Sequence, residues 1–393
     1  MRVDGGGGVG GRGGDSPTRA SLRASAEAPL VVTRLAMPAT ERRWQRVSYE
    51  NRTGRSSGHS DRQTFMAAYD IIGDVHGCAD KLVGLLRQRG YVNEQEEKAS
   101  DGTTKKIPTP FRHPKRQAIF VGDLIDRGDY QLDSVAIVRA MVEDGSAKMV
   151  IGNHEFNAVA YATKNDAGEW CRPHNDKNNG QHARFLQSAP HGSAIQRELL
   201  DWFMTLPLWL DLGGVRVVHA CWDARWIDHL RPLVSSTGGL TRQIVIDGTT
   251  KGTRTYDAIE TLLKGPEVWM DGCYYMDKDG HRRDHGRLEW WNSTATTLRE
   301  AVRIDPSWTL YDEFGSEIEQ LPATPLESSG ISPYTDSVPV VFGHYWFEGP
   351  PVPQDVRTAC VDYSAVKGGP LVGYRWDGET ILDAAKFAYF QAR

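Results

Sequence analysis

An α/β protein built on a layered sheet is the fold class that this sequence predicts. Three observations carry the expectation. Short apolar runs alternate with segments of helical periodicity from residue 66 onward, the first five run in the order β-α-β-α-β, and five of the apolar runs end in a polar cluster. Tyr69 to Ile72 reads as the first strand. Ala79 to Arg89 reads as a helix, because Leu82, Leu85 and Leu86 recur at helical spacing. Ala118 to Val121 reads as the second strand, Leu132 to Val142 as the second helix and Lys148 to Ile151 as the third strand. The polar, proline-containing stretch from Asn93 to Pro114 between them is expected to be a loop or hairpin. Farther on, Ile195 to Met204 reads as a helix, and Leu208 to Leu212 and Val215 to Val218 as two strands joined by Gly213-Gly214. The stretch from Asp223 to Asp336 has the weakest pattern. It contains the helix-like Tyr256 to Leu263 and the aromatic Glu289-Trp290-Trp291, and is expected to form a cap or insertion. Strands at Val338 to Phe342, Ala359 to Tyr363 and Leu371 to Trp376 complete the chain.

With 393 residues and 39% hydrophobic content, the chain can supply a sizeable core. Residues 1–65 begin MRVDGGGGVGGRGGDSP and keep no period of 2 or 3.6, so they are expected to be a disordered, low-complexity tail ahead of one catalytic domain at 66–393. Met37 or Met66 is an alternative start. The tail holds eleven arginines and six acids, a net +5, which leaves −10 on the remainder. That balance argues against a stable nucleic-acid complex, which calls for a basic face on the folded part. Neither an apolar run of membrane-spanning length nor a secretory leader pattern occurs, so an intracellular, cytoplasmic protein with no membrane partner is expected. Five scattered cysteines without CxxC spacing suggest neither a disulfide framework nor a zinc ribbon.

The polar endings carry the chemistry. The first strand ends in Gly73-Asp74-Val75-His76-Gly77. The second ends in Gly122-Asp123-Leu124-Ile125-Asp126-Arg127-Gly128, and the third in Gly152-Asn153-His154-Glu155. Val215 to Val218 ends in His219, and Val338 to Phe342 ends in Gly343-His344. In open α/β sheets the carboxyl ends of strands converge on one crevice, so residues distant in sequence can share a pocket. Each cluster alone has an ordinary structural explanation, as a turn, a helix cap or a core histidine. All five in this order point to a pair of metal ions, since imidazoles, carboxylates and an amide oxygen suit Mn, Fe or Zn, and one carboxylate can bridge two ions. Two such cations about 3.5–4 Å apart can polarise a phosphoryl group and activate water for in-line attack.

GDVHG, GDLIDRG and GNHE, followed by His219 and by Gly343-His344, resemble the calcineurin-like metallophosphoesterases. Within them the chain is most similar to the phosphoprotein phosphatase branch, which also holds the bacterial diadenosine tetraphosphatases. The resemblance implies a β-sandwich flanked by helices. It implies that Asp74, His76 and Asp123 hold a first metal, that Asp123 bridges, and that Asn153, His219 and His344 complete a second. It further implies a bridging water or hydroxide as nucleophile, His154 as general acid positioned by Asp126, and Arg127 as a phosphate-gripping residue. Glu155 is expected to support the turn. A further phosphate-binding arginine is expected between His219 and His344, with Arg287 preferred and Arg283 in reserve.

The sequence also departs from that pattern. Ile151 stands where an arginine commonly precedes GNHE, Ala220-Cys221-Trp222-Asp223 follows His219, and Tyr345-Trp346 follows His344. Trp222 and Trp346, with Trp290 and Trp291, either wall the site as a base-stacking surface or pack in the core. The expected function is therefore dinuclear metal-dependent hydrolysis of phosphate monoesters, including phosphoserine or phosphothreonine in proteins, with two divalent ions, manganese first and iron or zinc as alternatives. Hydrolysis of dinucleoside polyphosphates is a second reading, and an inactive metal-binding interaction module a third.

Overall fold

The computed structural model describes residues 68–98, 104–276, 280–305, 308–326 and 333–392. The expectation for the first 65 residues lies outside them.

Two facing sheets form the centre. The first pairs β1 (Tyr69–Ile72), β4 (Gln117–Phe120) and β5 (Ala147–Met149) in parallel, and continues from β1 through the antiparallel β17 (Leu371–Trp376) and β18 (Phe387–Phe390). The second runs β16 (Thr358–Cys360), β15 (Val340–Phe342), β7 (Arg216–Val218) and β6 (Trp209–Asp211), with β16, β15 and β7 parallel. Side-chain alternation explains why the sheets stack. Ile71, Ile119, Val217 and Val341 enter one buried cluster with Val361, Val372 and Tyr374, between the sheets. Their neighbours Ile72, Phe120, Val218 and Phe342 point the other way, into a second cluster shared with the helices. A β-sandwich flanked by helices is the result.

On the outer faces, α1 (Ala79–Gln88) and α2 (Gln131–Asp144) follow β1 and β4, and α3 (Asn153–Ala162) follows β5. Leu82, Leu85 and Leu86 of α1 are fully buried, as their spacing predicts. The Asn93 to Pro114 stretch forms a hairpin, β2 (Val92–Lys98) with β3 (Thr104–Arg112).

Several elements lack a clear sequence signal. They include α3 itself, α4 (Asp176–Ser188), and α6 (Ala224–Leu230) and α7 (Arg242–Thr249), beside the expected α5 (Ala194–Phe203) and α8 (Arg254–Lys264). The region from 223 to 336 divides in two. Its helices bury Ile227, Leu230, Ile244, Ile259 and Leu262 in the main core. Its short strands make two small sheets, one of β8 (Glu267–Trp269), β11 (His285–Leu288) and β12 (Val302–Arg303), the other of β9 (Tyr274–Met276), β10 (Arg282–Arg283), β13 (Leu310–Tyr311) and β14 (Glu317–Ile318). These enclose a separate core around Met270, Cys273, Leu288 and Leu298. Among the described residues no helix is long and apolar enough to cross a membrane.

Candidate metal centre

The carboxyl ends of β1, β4 and β5 in one sheet, and of β7 and β15 in the other, meet at one edge of the sandwich. The loops there are held open in an unusual backbone state. His76 (φ 45°), Asp123 (54°), Asp126 (62°), Arg127 (81°), His344 (72°) and Trp346 (51°) all occupy the left-handed region that L residues avoid. Such conformations cost on the order of 1–3 kcal/mol each and persist where surrounding bonds over-determine them. Those bonds are present: the His76 N–H donates to the Asp123 carbonyl at 2.8 Å, Gly128 N–H to the His76 carbonyl at 2.9 Å, and His344 N–H to Asp74 Oδ2 at 3.2 Å.

Asp74, His76, Asp123, Asn153, His219 and His344 are all buried. Asp123 is the common corner of two triplets, one with His76 and His154 and one with His219 and His344, whose candidate ligand atoms lie within 4.8 Å of one another. His76 Nε2 is 3.5 Å from Asp123 Oδ2, and His219 Nε2 is 3.6 Å from Asp123 Oδ1 and 2.9 Å from Asn153 Oδ1. Outer partners fix the rings. His76 Nδ1 donates to the Ile125 carbonyl at 2.9 Å and His219 Nδ1 to that of Val121 at 2.7 Å, which turns both Nε2 lone pairs inward. Asp74 is outside both triplets, while His154, expected as a proton donor, belongs to the first.

The residues present fit a pair of cations. Asp74 Oδ1, His76 Nε2 and His344 Nε2 are buried polar atoms with no hydrogen-bond partner among the described residues. Burial, with Asp362 and Asp123 nearby, pushes the Asp74 carboxyl well up, and burial raises Asp123. Burial likewise depresses His76 and His344 well below the usual imidazole range and takes His219 down to about 4. Neutral imidazoles among crowded carboxylates are the donor set that a bound cation reconciles.

Beside this cluster, His154 Nδ1 lies 2.7 Å from Asp126 Oδ2. Burial opposes the charge on His154, but Asp123 and Asp126 outweigh it and raise its pKa. Glu155 accepts the N–H groups of Asp123 (2.8 Å), Leu124 (2.7 Å) and Gly152 (3.1 Å), tying the second and third motifs together from beneath. Arg127 is exposed at the mouth, its guanidinium 4.6 Å from the Trp346 ring, which stacks on His76. Arg287, on β11, is half-buried with Nε unpartnered among the described residues, and after burial its charge is the leading cause that depresses His344. Arg283 lies on β10, in the other small sheet.

Of the two readings of the tryptophans, packing in the core holds for most of them. Trp222, Trp290 and Trp291 are buried, and Trp290 donates its indole N–H to the Ala220 carbonyl at 3.0 Å, so three of the four tryptophans are core. Two polar residues at the site had no signal of their own. Asp362 follows β16, where an apolar run from Ala359 to Tyr363 masks it, and it accepts the N–H groups of Trp346 (2.9 Å) and Ser364 (3.1 Å). His182 comes from α4, a helix that is polar along most of its length.

Comparison with known proteins identifies the family. A bis(5'-nucleosyl)-tetraphosphatase PrpE [asymmetrical] of Bacillus velezensis is 29% identical over 155 residues, 39% of this chain and 56% of that protein, so the chain spans about half of that relative's length. The symmetrical bis(5'-nucleosyl)-tetraphosphatase of Klebsiella pneumoniae is 24% identical over 323 residues, 79% of this chain and 92% of that one. A Saccharomyces cerevisiae protein serine/threonine phosphatase structure matches with a TM-score of 0.42 and 12% identity, over 85% of this chain and 82% of that one. The family model for calcineurin-like phosphoesterases matches residues 69–293, more than half of the chain and every candidate ligand except His344. This chain therefore belongs to the calcineurin-like phosphoesterases.

Proposed function

We propose that the chain hydrolyses phosphate esters with two divalent cations, Asp74, His76 and Asp123 holding one and Asn153, His219 and His344 the other, with Asp123 between them. The observation that carries this reading is the position of Asp123 at the corner of both His/Asp triplets. Bound there, manganese or a similar ion would supply Lewis-acid activation of water and neutralise charge on the phosphoryl group. The chain's own residues do the rest. Arg127, exposed beside His76, grips the phosphate with its planar fork. His154, its Nδ1 anchored on Asp126, presents Nε2 to the site and protonates the leaving oxygen as water adds to phosphorus and the P–O bond breaks. Arg287 assists from the His344 side.

Phosphate monoesters, including phosphoserine and phosphothreonine, are one substrate class for this site. Dinucleoside polyphosphates are the second, and the names of the Bacillus and Klebsiella relatives favour them. Turnover of a phosphopeptide and of diadenosine tetraphosphate, each with manganese, separates the two. A much faster phosphopeptide reaction removes the nucleotide reading. No hydrolysis of either substrate, or of an aryl phosphate, between pH 5 and 9 would leave a metal-binding interaction module and sink the enzyme reading.

A further inference from the structure

We infer that His182 is a positioning residue for the proton donor, acting on His154 through Asp126. The inference rests on the reading of His154 as donor.

Asp126 lies between two imidazoles. His154 Nδ1 is 2.7 Å from its Oδ2, and His182 Nδ1 is 3.0 Å from its Oδ1 and 3.3 Å from its Oδ2. Two imidazoles and the acid held well below the usual carboxylate range form a chain His154–Asp126–His182, and Asp126 and His182 are almost wholly removed from water. Both ring N–H groups face an anion, so both donate. The backbone end of Asp126 is fixed separately, its N–H donating to Gln131 Oε1 at 3.0 Å.

His182 is itself held in place. It packs on Phe185 with ring centroids 4.9 Å apart and on Tyr161 at 5.2 Å, and the Tyr161 hydroxyl donates to Asn179 Oδ1 at 2.8 Å, on the same face of α4. Its Nε2 is buried and has no hydrogen-bond partner among the described residues, so within them the carboxylate supplies the ring's only hydrogen bond. A buried imidazole that leaves one nitrogen unsatisfied carries a cost unless the other contact compensates. Without that contact, Oδ1 of Asp126 would be a bare anionic oxygen in a dry setting, and the carboxylate plane, with the His154 ring that follows it, would be free to turn. A carboxylate that fixes ring orientation of a catalytic imidazole is a recurring device, and here a second imidazole fixes the carboxylate.

The test exploits what a proton donor does. Phenyl phosphate needs its leaving oxygen protonated, whereas 2,4-dinitrophenyl phosphate expels a phenolate that needs no proton. His182→Phe keeps a ring in the aromatic packing and removes the N–H; His182→Asn places an amide N–H near the lost Nδ1 donor. With manganese content equal to wild type, His182→Phe is expected to lose about tenfold or more in kcat on phenyl phosphate, a part of the roughly 10²–10⁴-fold that acid catalysis contributes. The loss on the dinitrophenyl ester should be about threefold or less by the same reasoning. His182→Asn should recover most of the difference. Equal losses on both esters, or none, overturn the assignment of His182. His154→Asn is the control: an unchanged ratio of the two rates in that variant overturns the donor reading itself, whereas a changed ratio there with an unchanged one in His182→Phe removes His182 alone.

Discussion

Gly343 lies so close to Asp74 that a methyl group on its Cα would overlap the Asp74 Oδ1 oxygen. The glycine is therefore required by the acid, and the two come from opposite sheets, after β15 and β1. Gly152 stands in the same relation to Asp123 Oδ1. Gly343→Ala is expected to displace the Asp74 carboxylate and lower bound metal and activity together, by about 10–100-fold, the range seen when residues that orient ligands are changed. Metal analysis of the purified variant alongside an aryl phosphate assay checks this. Full metal occupancy with normal turnover would remove Asp74 from the ligand set.

The shared corner at Asp123 gives a second expectation, one that does not need a substrate. A cation that binds only the folded chain raises stability by about 2.7 kcal/mol at a hundredfold excess over its dissociation constant. Thermal unfolding with and without manganese should therefore show a clear upward shift in wild type. In Asp123→Asn the shift should be nearly lost, because both triplets include this residue, while His219→Ala should retain part of it. An undiminished shift in Asp123→Asn would contradict a bridging role.

How much of this was legible in the sequence depended on chain geometry. The strands that carry the site are three or four residues long and largely buried on both faces, so they read as apolar runs with a polar break at the end. That break is where His76, Asp123, His154, His219 and His344 stand. The helix α4 was not legible, because DKNNGQHARFLQS buries only His182 and Phe185 and has Gly180 in its middle. Asp362 was hidden for the opposite reason, embedded in apolar neighbours. Most strands between 267 and 318 have two or three residues, too few for a period to show. The tryptophans were ambiguous because an aromatic ring buries a large area in a core and at a binding surface alike, and only packing decides.

A further expectation concerns Asp70, buried on β1 against three guanidiniums. Arg375 Nε is 2.8 Å away, Arg116 Nε 3.1 Å and Arg89 Nη2 3.2 Å. Burial pushes the carboxyl up, but the hydrogen bond from Arg375 and the charges of Arg116, Arg375 and Arg89 outweigh it, and the net direction is down. A folded-state value below the unfolded one means that the contribution is present above the unfolded carboxylate pKa, near 3.8, and fades as pH falls through the folded value. Asp70→Asn should destabilise by on the order of 3 kcal/mol at pH 7, since removing one partner leaves the others uncompensated. The gap from wild type should narrow below about pH 4 by the same linkage. Urea unfolding at pH 7 and pH 3.5 measures both, and a gap independent of pH would mean that the carboxylate charge is not what matters.

The last expectation concerns the mouth of the site. Trp346 stacks on His76 at 5.4 Å between centroids, with Arg127 at 4.6 Å and Lys367 at 4.0 Å from its ring. Lys367 ends a short 3₁₀ turn, Ala365–Lys367, pinned by the buried Lys81, whose ammonium donates to the carbonyls of Ala365 and Gly369 at 2.7 Å each. Two cations on one aromatic ring, at the edge of a candidate metal centre, give the mouth more positive charge than a single phosphate needs. Arg127→Ala removes the grip on the reacting phosphate and is expected to lower kcat/KM on every substrate by about 10–100-fold, the worth of a hydrogen bond to a charged group. Lys367→Met should instead discriminate. It should raise KM for diadenosine tetraphosphate by about fivefold, a typical coupling for one screened charge near the surface, and leave phenyl phosphate nearly unchanged. Steady-state kinetics on the two substrates decides the matter, because equal effects would make Lys367 a general contributor to the field and not a reader of the longer anion.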